Sequence, residues 1–153
     1  MNPLIETWHI SHRMNDFLLK GIADDHLADL AAGKGRTVAE QFAHIHNVRL
    51  MWLKAAMPEL LEKQQKIEKE KAITRALLTA EMKKSAAAIA QLLEAGIASG
   101  RIKGFKPHPE AFVGYLVAHE SHHRGQITLT LKLNGHLPDK KTLFGLWEWG
   151  VAH

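Results

Sequence analysis

Three histidines fall within five residues in the stretch HESHHRGQ, His119 to Gln126. A neutral imidazole is a common ligand for transition-metal ions. His119 and His123 are four apart, the spacing that sets two side chains one above the other on a helix, so both rings can converge on one ion. Such a pair is frequent by chance, and a site needs a third ligand from another part of the chain. The same letters satisfy H-E-x-x-H, the zinc-peptidase pattern, in which the glutamate takes a proton from metal-bound water.

Three features of the chain argue against a peptidase. Glu120 projects about 100° from His119 on a helix, toward the edge of the inward arc. The glutamate-type pattern wants a downstream acidic ligand, and the only downstream Glu is Glu148, in a Trp-rich tail that reads as packing; the extended pattern with a third His is absent because RGQITLT follows. No strand pattern is visible to hold an extended peptide by edge pairing.

The elements that must position these residues are helices. The first pattern runs from about Pro3 to Lys20, with Ile5, Trp8, His12, Asn15 and Leu19 at three-and-four spacing. A Gly-rich break at 31 to 36 precedes Thr37-Val38-Ala39-Glu40, a capping box that starts a second helix running to about Met57. A charged linker at 59 to 72 leads to a third helix rich in strong formers, ending near Gly96 or Gly100. The fourth begins around Pro107 to Pro109 and continues to Asn134, before Gly135. The tail LFGLWEWG is expected to form a short helix whose Leu143, Trp147 and Trp149 cover the bundle. The chain therefore reads as all-α: a four-helix bundle in one domain over 1–153, with a long connection at 55 to 73.

On the fourth helix the pattern puts His119, His123, Gln126 and Thr130 in the middle of the inward face, framed by Phe112, Tyr115, Leu116, Leu129 and Leu133. Ser121, Arg124, Thr128 and Lys132 fall on the opposite side, so Arg124 reads as a solvent or interface residue. Four inward polar groups without partners would cost about 1–3 kcal/mol each, and a metal ion is the simplest compensation. The second helix offers His44 and His46, on opposite margins of an apolar arc centred on Val38, Phe42, Ile45 and Leu53. Periodicity does not choose between them, and each taken alone reads as a flanking surface histidine. His12 shares a stripe with Trp8 and Asn15 and reads as a core-margin residue.

Two motifs resemble the DinB (damage-inducible) superfamily of metal-binding four-helix bundles: AHI followed by VRLMWL on the second helix, and HESHHRGQI on a helix ending in NG. The Trp-containing tail is similar too, so the resemblance covers nearly the whole chain. It implies a divalent ion, zinc or nickel foremost, held by His44, His119 and His123, with remaining positions open. It implies a homodimer. It also implies kinship with transferases that use low-molecular-weight thiols, and so a metal-dependent transferase or hydrolase acting on a small molecule. Glu120, His122 and Gln126 are then candidates for acid, base or orienting roles. The alternative is a non-catalytic, metal-stabilised bundle acting as a ligand-binding or dimeric interaction module, its ion closed off by a fourth side chain such as His122 or His12.

Composition narrows the partners. Eleven His and no Cys leave imidazole, not thiolate, as the available soft ligand. The net charge of +4 is spread through mixed runs such as EKQQKIEKEK, and no basic helix face with interleaved aromatics supports nucleic-acid binding. No apolar run approaches the roughly 18 residues of a membrane span, and MNPLIETWHI has no basic leader or apolar signal core, so a cytoplasmic protein without membrane contact is expected.

Overall fold

The computed structural model describes residues 1–151. Four long helices, α1 (Pro3–Lys20), α2 (Val38–Ala56), α3 (Arg75–Ser99) and α4 (Pro109–Leu133), precede a short α5 (Lys140–Gly145). Their ends follow local chemistry. Asn2 caps the Leu4 amide ahead of Pro3, and Thr74 caps that of Leu77. Thr37 and Glu40 form the expected reciprocal box, with the Glu40 amide donating to Thr37 Oγ1 at 3.1 Å and the Thr37 amide to Glu40 Oε1 at 3.0 Å. α2 stops at Ala56 because Met57 precedes Pro58 and is held out of the helical region. α3 stops at Gly100, whose φ of 78° is the left-handed turn that glycine adopts without strain. Among the described residues no strand forms; a lone bridge joins Ile102 and Phe105.

The interior is two apolar clusters with a polar layer between them. One cluster joins Leu18, Phe42, Ile45, Leu78, Met82, Ile127 and Leu131; the other joins Trp8, Leu53, Ile89, Leu93, Phe112 and Leu116. Along each long helix the residues between these sets are buried and polar: Ser11, His12 and Asn15 on α1, His46 and Arg49 on α2, Ser85 on α3, Glu120 and Arg124 on α4. The order in which each helix visits the clusters gives its direction. α2 and α3 run the same way, with α1 and α4 opposed to both. The connection 57–74 must therefore return along the length of the bundle, and it carries one 3-10 turn at Pro58–Leu61.

The tail departs from expectation. α5 docks through Thr142 and Gly145, the latter so close to Phe17 that a Cβ there would sit 2.4 Å from the ring. Leu146 packs on the first cluster, whereas Trp147 is 82% exposed and Trp149 and Phe144 also face outward. The tryptophans do not cover the bundle. One turn of helix offers one inward face, and the close contact at Gly145 fixes that face on the small residues.

Candidate metal centre

α2 and α4 meet along a seam, and at the level of the polar layer His44 from α2 faces His119 and His123 from α4. The ring centroids lie 5.5 Å apart for His44 and His119, 4.6 Å for His44 and His123, and 4.6 Å for His119 and His123. One nitrogen from each ring falls within 4.8 Å of the others. At that spacing one divalent ion could be shared among the three.

The protonation states suit that role. Burial, first of all, lowers the pKa of each of the three rings, with the Arg36 charge adding to the effect, and His123 is pushed down to about 4. All three are neutral near pH 7. His123, 5% exposed, meets Gln41 Oε1 through Nδ1 at 2.7 Å. The amide oxygen only accepts, so Nδ1 carries the proton and Nε2 keeps a free lone pair. His119 Nδ1 is buried without a partner, an unmet polar group of the kind a ligated ion would satisfy. The donor set, its charge state and this orphaned nitrogen together fit a divalent cation. Tyr115 stacks beside His119 with centroids 6.3 Å apart and planes 18° from parallel, giving the site one aromatic wall. His44 lines a cleft of about 510 Å³ with Arg36, Glu40, Asn47 and Lys69.

The other sequence candidates are placed differently. His122 is exposed, its ring 5.1 Å from that of His123, and Gln126 is half-buried with its backbone carbonyl accepting from Thr130 Oγ1. Glu120 is 0% exposed. Its Oε1 accepts from Arg49 Nε at 2.7 Å and its Oε2 from Arg49 Nη2 at 3.0 Å and Asn15 Nδ2 at 2.7 Å. Arg124, expected on the solvent side, is buried and donates to Asn15 Oδ1 at 2.7 Å. The inward arc of α4 is centred on Leu116, Glu120 and Ile127, so His119 and Gln126 lie along its margin and Tyr115, Leu129 and Leu133 are exposed. Spacing of about 100° per residue predicts Arg124 opposite the inward arc and Glu120 at its edge; pairing with Asn15 and Arg49 buries both. This engagement of both carboxylate oxygens is a further observation against the peptidase pattern.

His46 is likewise buried, contrary to a surface reading, with Nδ1 on Ser85 Oγ at 2.9 Å and Nε2 on the Gln65 carbonyl at 2.7 Å. Both nitrogens are engaged away from the cluster. His12 is buried on α1 beside Arg49 and Asp16. Among the described residues, the grouping close enough to share an ion is His44, His119 and His123, with neither His122 nor His12 as a fourth. Gln41 was not anticipated, although Q-x-x-H (Gln41 to His44) is the spacing that puts a polar partner on the same helix face.

Comparison with known proteins agrees with this architecture. The sequence matches the profile of the DinB family over residues 1–149. The fold is similar to that of a DinB-like protein from Bacillus subtilis whose crystal structure is known, with a TM-score of 0.64, 21% identity, and 90% of this chain and 97% of that one covered. No curated protein matches the sequence.

Proposed function

This chain belongs to the DinB family, and on that premise we propose that it is a single-domain protein that binds a divalent ion, zinc or nickel foremost, through His44, His119 and His123 and acts on a small molecule as a metal-dependent transferase or hydrolase. The observation that carries this reading is the convergence of three neutral imidazoles, of which His44 lines a cleft large enough for a small molecule. Three protein ligands are the number found at catalytic rather than closed structural zinc sites. A bound divalent ion supplies Lewis acidity that makes a water or a thiol a nucleophile near neutral pH, which suits both hydrolysis and transfer from a low-molecular-weight thiol.

The chain's own contributions are positional. Gln41 holds the His123 tautomer, and Tyr115 stacks beside His119. His122 is exposed beside His123, within reach of a molecule bound at the site. Metal content of untagged protein tests the reading. About one ion per chain, lost in His44→Ala, is expected, and would direct a screen of thiol-transfer and hydrolysis substrates. No ion after reconstitution with zinc or nickel near pH 7.5 would remove it.

A second reading is favoured by the outward-facing Phe144, Trp147 and Val151: a metal-stabilised homodimer or interaction module without turnover. Metal-loaded protein that turns over none of the screened substrates, yet dimerises in sedimentation and loses the dimer in Trp147→Ser, would select it.

A further inference from the structure

The cleft beside His44 is cationic and walled on two sides. One wall is α2, with Ala43, His44 and Asn47; the other is the returning connection, with Ile67 and Lys69. That connection is pinned rather than loosely draped. Asn47 accepts from the Ile67 amide and donates to the Ile67 carbonyl, each at 3.0 Å, Ile67 itself is buried, and the Gln65 carbonyl is held by His46 at 2.7 Å. Lys69, two residues beyond this clamp, is thereby set across the cleft from His44.

Arg36 enters from the segment just ahead of α2. Its guanidinium and the Lys69 ammonium are exposed, and neither has an ion-pair partner among the described residues. Arg36 lines the same cleft as His44. The opposing charge in the lining is Glu40, whose Oε1 already accepts the Thr37 amide. Two cations against one carboxylate leave one net positive charge in the lining. That balance suits a monoanion better than a dianion such as phosphate, and the planar fork of arginine matches a carboxylate bidentately. A second cavity of about 1030 Å³ continues past Glu40, Lys69 and Ile73; its Arg75 is already taken by Asp24 at 2.9 Å.

We propose that this cleft selects a small molecule bearing a carboxylate, which pairs with Arg36, assisted by Lys69, while the reacting end of the molecule reaches the histidine cluster. The assignment rests on the metal-binding reading above and adds to it the charge class of the substrate and the residues that recognise it.

The test uses two thiols as probes, since a thiol is a soft head group for the ion: 3-mercaptopropionate, which carries a carboxylate, and 2-mercaptoethanol, which does not. Each is titrated into full-length cobalt-loaded protein at fixed low ionic strength, with binding read from the cobalt absorption. Wild type should bind the carboxylate probe about tenfold more tightly, equivalent to about 1.4 kcal/mol. Arg36→Gln should bring the two within about twofold while leaving the 2-mercaptoethanol affinity unchanged, and Lys69→Gln should fall between. Equal affinities in wild type, or a preference that survives both substitutions because the carboxylate chelates cobalt, would overturn the proposal.

If cobalt does not load, the metal reading fails on its own count. Recognition is then read in the metal-free protein from the amide NMR shifts of Gly35, Arg36, Thr37 and Lys69 with 3-mercaptopropionate. Saturable shifts abolished by Arg36→Gln support carboxylate recognition, and their absence refutes it.

Discussion

Glu120 separates two accounts of the HESHHRGQ helix. If it were the base of a hydrolytic site, Glu120→Gln would abolish turnover and barely alter stability. The structure points the other way. Among the described residues Glu120 is the sole carboxylate bonded to Arg49, and Asn15 links it to Arg124, all in a layer closed to solvent. Glutamine keeps one acceptor oxygen but turns an NH₂ toward guanidinium donors that also point inward, leaving buried cations uncompensated. Breaking a buried pair in this way costs about 3–5 kcal/mol, a large share of the roughly 5–15 kcal/mol that holds a domain folded. Urea denaturation of metal-free protein should show a loss of that size. Should Glu120→Gln be too unstable to purify, Arg49→Met/Glu120→Gln keeps the test alive: removing the cation as well should restore part of the loss, with a coupling of about 1–3 kcal/mol. A single variant within about 1 kcal/mol of wild type, or two single losses that simply add, would refute the structural role.

Three further outcomes follow from the same geometry. His46→Ala removes a buried ring with both nitrogens bonded; it should cost about 2–4 kcal/mol by denaturant titration yet leave metal stoichiometry unchanged, the opposite of His44→Ala. Gln41→Leu frees the His123 tautomer and should weaken metal affinity about 10–100-fold in competition with a chelating dye. His12, whose pKa burial and the Arg49 charge push down to about 3, is neutral when folded, so its 3.6 Å approach to Asp16 is not an ion pair. The unfolded chain takes up this proton below about 6.5 and the folded one only near 3, so acid favours unfolding throughout that window and His12 contributes no pH dependence above it. Between pH 6 and pH 4 the stability of metal-free His12→Gln should therefore fall less steeply than wild type, by about 1.4 kcal/mol per pH unit; identical slopes would contradict the burial of His12.

The helix ends were legible because their causes are local. Thr37 with Glu40, Met57 before Pro58, and Gly100 after Ser99 each act within one turn. The candidate site was legible in part: His119 and His123 share a helix face, but α2 presents two histidines on opposite margins. The structure sends His44 to the cluster and His46 into the core. No periodicity could decide that, because the difference lies in Ser85 and Gln65, on other segments. The inward face of α4 was misjudged for a related reason. Helical position predicts Glu120 at the edge of the inward arc and Arg124 opposite it, and only Arg49 and Asn15, more than 70 residues away, make the burial of both affordable. The tail failed differently, since the hydrophobicity of Trp147 carries no information about which side of a single turn meets Phe17.

These points converge on the polar layer. Arg49 lies five residues after His44 on α2, and Glu120 is the neighbour of His119 on α4. Among the described residues, the one charge pair with both side chains fully buried thus joins the same two helices that supply the histidines. A pair bonded through two guanidinium nitrogens is satisfied at one axial offset of α2 against α4; sliding by a single turn, about 5.4 Å, would strand both charges. The apolar clusters on either side are far more tolerant of such a shift, since leucine against leucine has little register of its own. Adjacent residues on α4 therefore divide the work. Glu120, facing inward, sets the offset of the helices, and His119, about 100° around the turn, is brought opposite His44 by it.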